Sequence, residues 1–329
     1  MTHDLKHLTA MVEEIFANEQ FLSEPVGLYK PIDYTLRLGG KRIRPMMLLA
    51  SGCMFGAEPE ELHDAAIGIE LFHNFTLLHD DLMDRSPLRR GQPTVYTKWD
   101  DNTAVLSGDT MFAMAWRCFL RINSPHSHAA MRCFCDTAIE VCEGQQKDMD
   151  FERMTMADGV GLGMYMEMIR QKTAVLLAAS LEIGALLAGA QDEEVERIRN
   201  FGLHLGLAFQ LQDDLLDGYG DTAVFGKKTG QDIRDNKKTY LPLLARTMCN
   251  NQQRDELDSL FSAKKNMDEE EKVRRVMAIY NTVGLRRAVD TTIAEEFSHA
   301  VECLDSVGAE EGRKRPLRDL VQTLFCRKK

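Results

Sequence analysis

Two apolar stretches of this chain end in the same five-residue pattern, Asp-Asp-x-x-Asp, and this repetition constrains the fold more than any other feature. The first is Asp80-Asp81-Leu82-Met83-Asp84, closing the run AAIGIELFHNFTLLHDDLMD; the second is Asp213-Asp214-Leu215-Leu216-Asp217. On a helix, residues four apart differ by about 40°, so Asp80 and Asp84 share a face, as do Asp213 and Asp217. The middle aspartate of each motif flanks its pair. Three crowded carboxylates repel one another unless a cation intervenes, and hard oxygen donors with room for water suit Mg²⁺. At ordinary aspartate usage one such pattern arises by chance in roughly one chain in twenty of this size. Two copies, each followed by a basic, glycine-containing loop, set the solvated-face explanation aside. An EF-hand starting at Asp80 would need Gly sixth and an acid twelfth, where the chain has Arg85 and Gly91. Gly226-Lys227-Lys228-Thr229 lacks the spacing of a phosphate-binding loop.

The rest of the chain reads as helix. Leu5, Leu8, Val12 and Ile15 recur at helical spacing, and Pro and Gly between 25 and 45 surround a short helix near Ile32–Leu38. Further helices are expected over 65–84, 104–122, 127–151, 161–189 and 193–218, then through the C-terminal third with a break at Gly284. Ser86-Pro87 closes the first-motif helix, and only Thr94–Thr97 looks strand-like. The run DEEEKVRR reads as a solvated helix face laced by Glu270–Arg274 and Glu271–Arg275 pairs. The 18 Met and only 9 Pro favour helix over strand. An all-α fold is expected, one domain over 1–329.

No apolar stretch is long enough to span a membrane, and the charged N-terminus lacks a signal peptide's apolar block. The eight cysteines show neither a disulfide framework nor a zinc spacing, so reduced thiols in a cytoplasmic protein are expected. A net charge of −11 disfavours nucleic acid as a partner. It leaves room for an anionic substrate held by metal ions and local cations. Those cations fall in four clusters: Lys41 and Arg44, Arg89-Arg90, Lys172 beside Thr173, and Lys227 with Lys237. Any one alone reads equally well as surface. Lys172 differs, because it lies in the apolar run EMIRQKTAVLLAAS and needs a partner or an exit to solvent. His73 precedes Asp80 by seven residues, and Gln210 precedes Asp213 by nearly one turn.

With these residues assembled, the chain resembles the trans-isoprenyl diphosphate synthases, the family of farnesyl and geranylgeranyl diphosphate synthases. The marks are GGKRIRP, LLHDDLMDRSPLRRGQPT, GQQKD, QKTA, FQLQDDLLD and GKKTGQDIRDNKKTYL. The resemblance implies a helical bundle around a deep central cavity with the aspartate motifs at its mouth, usually as a homodimer. It implies that Asp80, Asp81, Asp84, Asp213 and Asp217 bind a small Mg²⁺ cluster (roughly three ions), with Asp214 in support. By the same match, Arg89, Lys172, Lys227 and Lys237 hold an allylic diphosphate, while Lys41, Arg44, His73 and Arg90 hold isopentenyl diphosphate. Lys172, Thr173 and Gln210 serve the allylic cation, and Gln145 and Asp148 support them. The basic end Arg327-Lys328-Lys329 is a further candidate for covering the second substrate.

Ile69, Phe72 and Phe75 form a stripe at spacings of three below Asp80, with the smaller Thr76 nearer in angle. Spacing alone leaves Phe72 and Phe75 open between core and product-limiting roles. The family pattern, in which a bulky residue at position 75 marks short-chain enzymes, points to a C20 geranylgeranyl product. A C15 farnesyl product is the alternative. A class I terpene cyclase would need no second diphosphate site, and a non-catalytic partner subunit commonly loses aspartates; neither matches the pattern as well.

Overall fold

The computed structural model describes residues 4–220, 229–262 and 267–325. Its helices are α1 (Leu5–Asn18), α2 (Val26–Arg37), α3 (Ile43–Phe55), α4 (His63–Met83), α5 (Asp101–Arg121), α6 (Ser127–Arg153) and α7 (Leu162–Ile169). They continue with α8 (Val175–Leu187), α9 (Asp192–Tyr219), α10 (Tyr240–Met248), α11 (Asn251–Ser262), α12 (Glu269–Thr282), α13 (Leu285–Ser306) and α14 (Glu311–Phe325). Side-chain caps begin several of them. Asp4, Asp100 and Asp268 accept from the backbone N–H of His7, Thr103 and Glu271, satisfying donors that a helix start leaves unpaired. Among the described residues, none of the helices is long and apolar enough to cross a membrane.

Two compact units result, neither continuous in sequence. One comprises Met1–Cys135, Ala179–Arg199 and Ser306–Thr323; the other comprises Asp136–Ala178, Asn200–Asp305 and Leu324–Lys329. Helices α6, α8, α9, α13 and α14 contribute residues to both. In the first unit α4 packs along α5, and Phe72, Phe119 and Phe134 are fully buried there. Removing such a ring from water contributes roughly 1.5–3 kcal/mol per residue. In the second, Phe201, Leu205 and Leu211 of α9 are buried, as are Val289 and Ile293 of α13.

Three expectations change. The strand-like segment is a single helical turn, Val95–Lys98, because Thr94 is turned inward to bond the carbonyl of Ser86. The strands are instead two-residue pieces, Leu88–Arg89 and Gln92–Pro93, joined by Arg90 and Gly91, both with positive φ. That is the backbone of a tight hairpin turn, and it returns Arg89 to the end of the first-motif helix. The helix near Ile32 starts earlier, at Val26, and carries Pro31 in its second turn.

The acidic run on α12 is not wholly solvated. Lys272 is 5% exposed, and its ammonium donates to the backbone carbonyl of Ile233 and to Asn236 Oδ1. Glu270 pairs with Arg234 at 2.9 Å, Glu271 with Arg274 three residues on, and Arg275 with Glu256. The expected four-residue pairs are thus exchanged for others, of which Lys272 and Glu270–Arg234 fasten the segment after the second aspartate motif. The break at Gly284 is present, at φ 69°.

Candidate active site

In the first unit, α4 ends at the first motif. Asp80 is half-buried, Asp84 is the exposed C-cap, and Asp81 is 5% exposed. Arg89 holds Asp81 from two sides, with Nε 2.7 Å from Oδ2 and Nη2 2.7 Å from Oδ1, and lies 4.0 Å from Asp80. The same bonds keep Arg89 above its ordinary pKa against the cost of burial. The outer aspartates are presented to the surface, while the middle one anchors the hairpin arginine.

A separate cation cluster lies in the same unit. Arg44 Nη1 is 3.0 Å from His73 Nε2. Burial brings Arg44 down to about 10, with Glu70 opposing the shift. Arg90 packs on Gly40, where an added Cβ would lie 2.6 Å from the guanidinium and where φ 139° itself favours glycine. Partial enclosure also lowers Arg90, although that residue reaches the surface. His73 is held well below its usual range by burial and then by Arg44, Arg90, Arg89 and Arg42. Lys41 is exposed on the same turn. Cations lowered together in this way mark a place where an anion is favoured. The cluster is fixed from below by Arg42, 7% exposed, which bonds Glu70 at 2.9 Å and the carbonyl of Leu36 at 2.5 Å. Asn74 completes the set by donating to Glu70 at 3.0 Å.

In the second unit, α9 carries Asp213 exposed, Asp217 half-buried and Asp214 buried. Asp214 accepts from the hydroxyl of Tyr165, from Gln210 Nε2 at 3.0 Å and from the Tyr240 backbone N–H at 3.4 Å. Burial raises it to about 6 despite those donors. Both motifs thus follow one plan, an enclosed middle aspartate between two accessible ones. Asp232 adds a fourth acid, its N–H donating to Asp217 Oδ2 at 3.1 Å. Burial and the nearby Asp217 and Asp214 push its carboxyl well up. An all-oxygen set of crowded carboxylates fits a hard divalent cation.

Lys172 has the partner its setting demanded: its ammonium lies 2.6 Å from Asp148 Oδ2. It sits on a π-helical turn, Arg170–Ala174, between α7 and α8. Such a turn widens the helix locally and re-aims its side chains. Gly144 of α6 makes room for it, since a Cβ there would fall 2.4 Å from the Lys172 backbone N. Next on the turn, Thr173 Oγ1 donates to Gln210 Oε1 at 3.0 Å, which continues the chain of bonds to Asp214. Asp148, Lys172, Thr173, Gln210, Asp214, Asp232 and Lys237 line one pocket of about 140 Å³. Gln145 lies one residue along from Gly144, half-buried. Lys227 and Arg327-Lys328-Lys329 lie outside the described residues.

The stripe below Asp80 divides. Phe72 is fully buried, ringed by Phe75, Phe112 and Phe134 at 5.3–5.6 Å. Phe75 keeps some accessible surface, stacks on Phe112 at 5.2 Å and meets the His79 ring edge-on at 4.8 Å. The Thr76 hydroxyl is spent on the carbonyl of His73. Glu70, Asn74, Tyr165, Tyr240, Asp232, Phe112 and Gly144 are the site-building residues that the sequence reading passed over. Glu70 had a visible signal, a lone acid inside an apolar helical run.

These elements define an all-α protein bearing two aspartate-tipped helices, an enclosed ammonium and a separate arginine cluster. The polyprenyl synthetase family profile matches residues 25–280. A geranylgeranyl diphosphate synthase of Methanosarcina mazei is 38% identical over 241 residues, covering 73% of this chain and 72% of that protein. A (2E,6E)-farnesyl diphosphate synthase of Mycobacterium tuberculosis is 44% identical over 200 residues, covering 61% of this chain and 55% of that protein. The crystal structure of a geranylgeranyl pyrophosphate synthase superposes with a TM-score of 0.93 at 42% identity, over 99% of this chain and 100% of that one. The chain belongs to the polyprenyl synthetase family and is a prenyltransferase.

Proposed function

We propose that this enzyme condenses isopentenyl diphosphate with an allylic diphosphate (dimethylallyl, geranyl or farnesyl) in a Mg²⁺-dependent reaction, and that its main product is geranylgeranyl diphosphate. The observation that carries the reading is the combination of two oxygen-only aspartate pairs, each with one exposed and one half-buried member, with a distinct cluster of cations. One diphosphate is suited to the first chemistry and a second to the other. The outer residues Asp80, Asp84, Asp213 and Asp217 are the metal ligands, and Asp81 and Asp214 hold them in place. When bound, Mg²⁺ offsets the charge that develops on the departing diphosphate.

The side chains do the rest. Lys172, oriented by Asp148, and Lys237 offer charge to the allylic diphosphate, with Arg89 beside the first motif and Lys227 on the basic segment after the second. Lys41, Arg44, His73 and Arg90 bind isopentenyl diphosphate; the neutral His73 contributes a hydrogen bond rather than charge. The allylic C–O bond breaks with its electrons leaving on the diphosphate. The π electrons of isopentenyl diphosphate then form the new C–C bond, and loss of a proton to the released diphosphate restores the double bond. Thr173 and Gln210, fixed by their mutual hydrogen bond, present oxygen dipoles to the transient cation. Gln145, beside Gly144, supports this end of the site.

Phe75, braced by Phe72 and Phe112, limits the growing chain; Thr76 leaves space beside it. The whole chain, 1–329, acts as one catalytic domain, paired as a homodimer through the exposed Val105, Leu106 and Leu120 of α5, in the cytoplasm. The test is incubation with labelled isopentenyl diphosphate and each primer, with and without Mg²⁺, followed by chromatography. A Mg²⁺-dependent C20 product is expected. C15 from the same tubes would move the limit one unit shorter, and no extension of any primer would sink the reading.

A further inference from the structure

Helices α9 and α13 bring together a second group of metal-suited side chains, remote in sequence from the aspartates of α9. His204 Nδ1 lies 2.7 Å from Glu296 Oε2 of α13, and the His299 ring meets the His204 ring edge-on at 5.2 Å. One ligand atom from each of the three lies within 4.8 Å of the others. Glu296 and His299 are three residues apart on α13 and so share a face. His204 and Glu296 are half-buried, while His299 is exposed and leaves the group open to solvent. The His204–Glu296 bond accounts for that pair. A second imidazole, His299, stands on the same face of α13 with a ligand atom within 4.8 Å of both.

From this we infer that His204, Glu296 and His299 form a binding site for a borderline-soft divalent cation of the Zn²⁺ type. Two imidazoles and one carboxylate are a donor set that Zn²⁺ takes with a water in the fourth position. Imidazole selects against Mg²⁺, which prefers oxygen throughout. Around Zn²⁺, bond lengths near 2.1 Å place tetrahedral ligand atoms about 3.4 Å apart, so small side-chain rotations close the group. His204 lies nine residues before Asp213, roughly 13.5 Å along the helix. The cation is therefore separate from any held by the aspartates. It clips the helix bearing the second motif to α13 and stabilises that pairing without entering the reaction.

Co²⁺ is the probe, because its visible absorption reports nitrogen ligation. The full-length protein, with Mg²⁺ saturating the aspartates, is titrated with Co²⁺ and then challenged with Zn²⁺. The expected result is one Co²⁺ per chain with intense ligand-field bands, displaced by Zn²⁺. His204→Ala and His299→Ala should each weaken that binding by about tenfold or more, with circular dichroism and Mg²⁺-dependent activity kept. Since His299 is exposed, its variant guards against a loss caused by misfolding. Absence of such bands, or the same affinity in the double variant, would overturn the assignment.

Discussion

Arg44 donates a hydrogen bond to His73 inside a cluster of guanidinium groups, and this placement has a measurable consequence. Burial and four neighbouring arginines keep the imidazole neutral well below its ordinary range. Between that lowered value and about 6.5 the unfolded chain binds a proton that the folded chain refuses. Stability therefore falls as pH drops through the window, by at most about 1.4 kcal/mol per pH unit, and His73 adds no slope above it. His73→Gln should flatten this limb in urea melts taken from about pH 5 to about pH 8. An unchanged slope would show that His73 charges normally. Glu70 is the acid beneath the cluster, and Glu70→Ala would leave Arg42 buried without its partner. A loss of about 3–5 kcal/mol is expected, read from the same melts. For product length, Phe75→Ala should yield products longer by one or more five-carbon units in chromatography. If the distribution matches the unaltered enzyme, Phe75 is not the limit.

At the scale of elements, Lys172 and Thr173 are carried on a widened turn that sequence periodicity does not reveal. Arg170–Ala174 reads as ordinary helix, since a π turn changes neither the residue types nor the apolar pattern around it. Gly144 is what permits it, packed against the Lys172 backbone. Gly144→Ala should cost about 1–3 kcal/mol by overpacking and lower kcat by a larger factor than the stability loss explains, because Lys172 and Thr173 would move together. Equal kcat in a folded variant would separate the turn from catalysis. Most helix positions were legible from apolar spacing, and the aspartate motifs, Lys172 and its need for a partner were legible from charge in apolar runs. What the sequence could not show was depth. Nothing in Asp-Asp-x-x-Asp distinguishes the enclosed Asp81 and Asp214 from their more accessible neighbours. Tyr165, Tyr240 and Asp232 converge on the second motif from segments far along the chain. Lys272 was misjudged for the same reason: a basic residue in an acidic run looks solvated until the packing of α12 buries it.

For the molecule as a whole, family membership fixes the reaction class more firmly than the product. Proteins named for geranylgeranyl and farnesyl products both align with this chain, so the Phe75 variant is the test of product length. Assembly can be tested at this scale. The exposed Leu106 and Leu120 predict a two-chain mass in sedimentation, and Leu106→Glu with Leu120→Glu should shift it toward one chain. A single-chain mass for the unaltered protein would remove the homodimer. The most direct test of the central claim is stoichiometry with farnesyl diphosphate as primer, counting released diphosphate against labelled isopentenyl units incorporated. Head-to-tail condensation predicts a one-to-one ratio, dependent on Mg²⁺, ending at C20. Diphosphate released without incorporation, or no release at all, would contradict it.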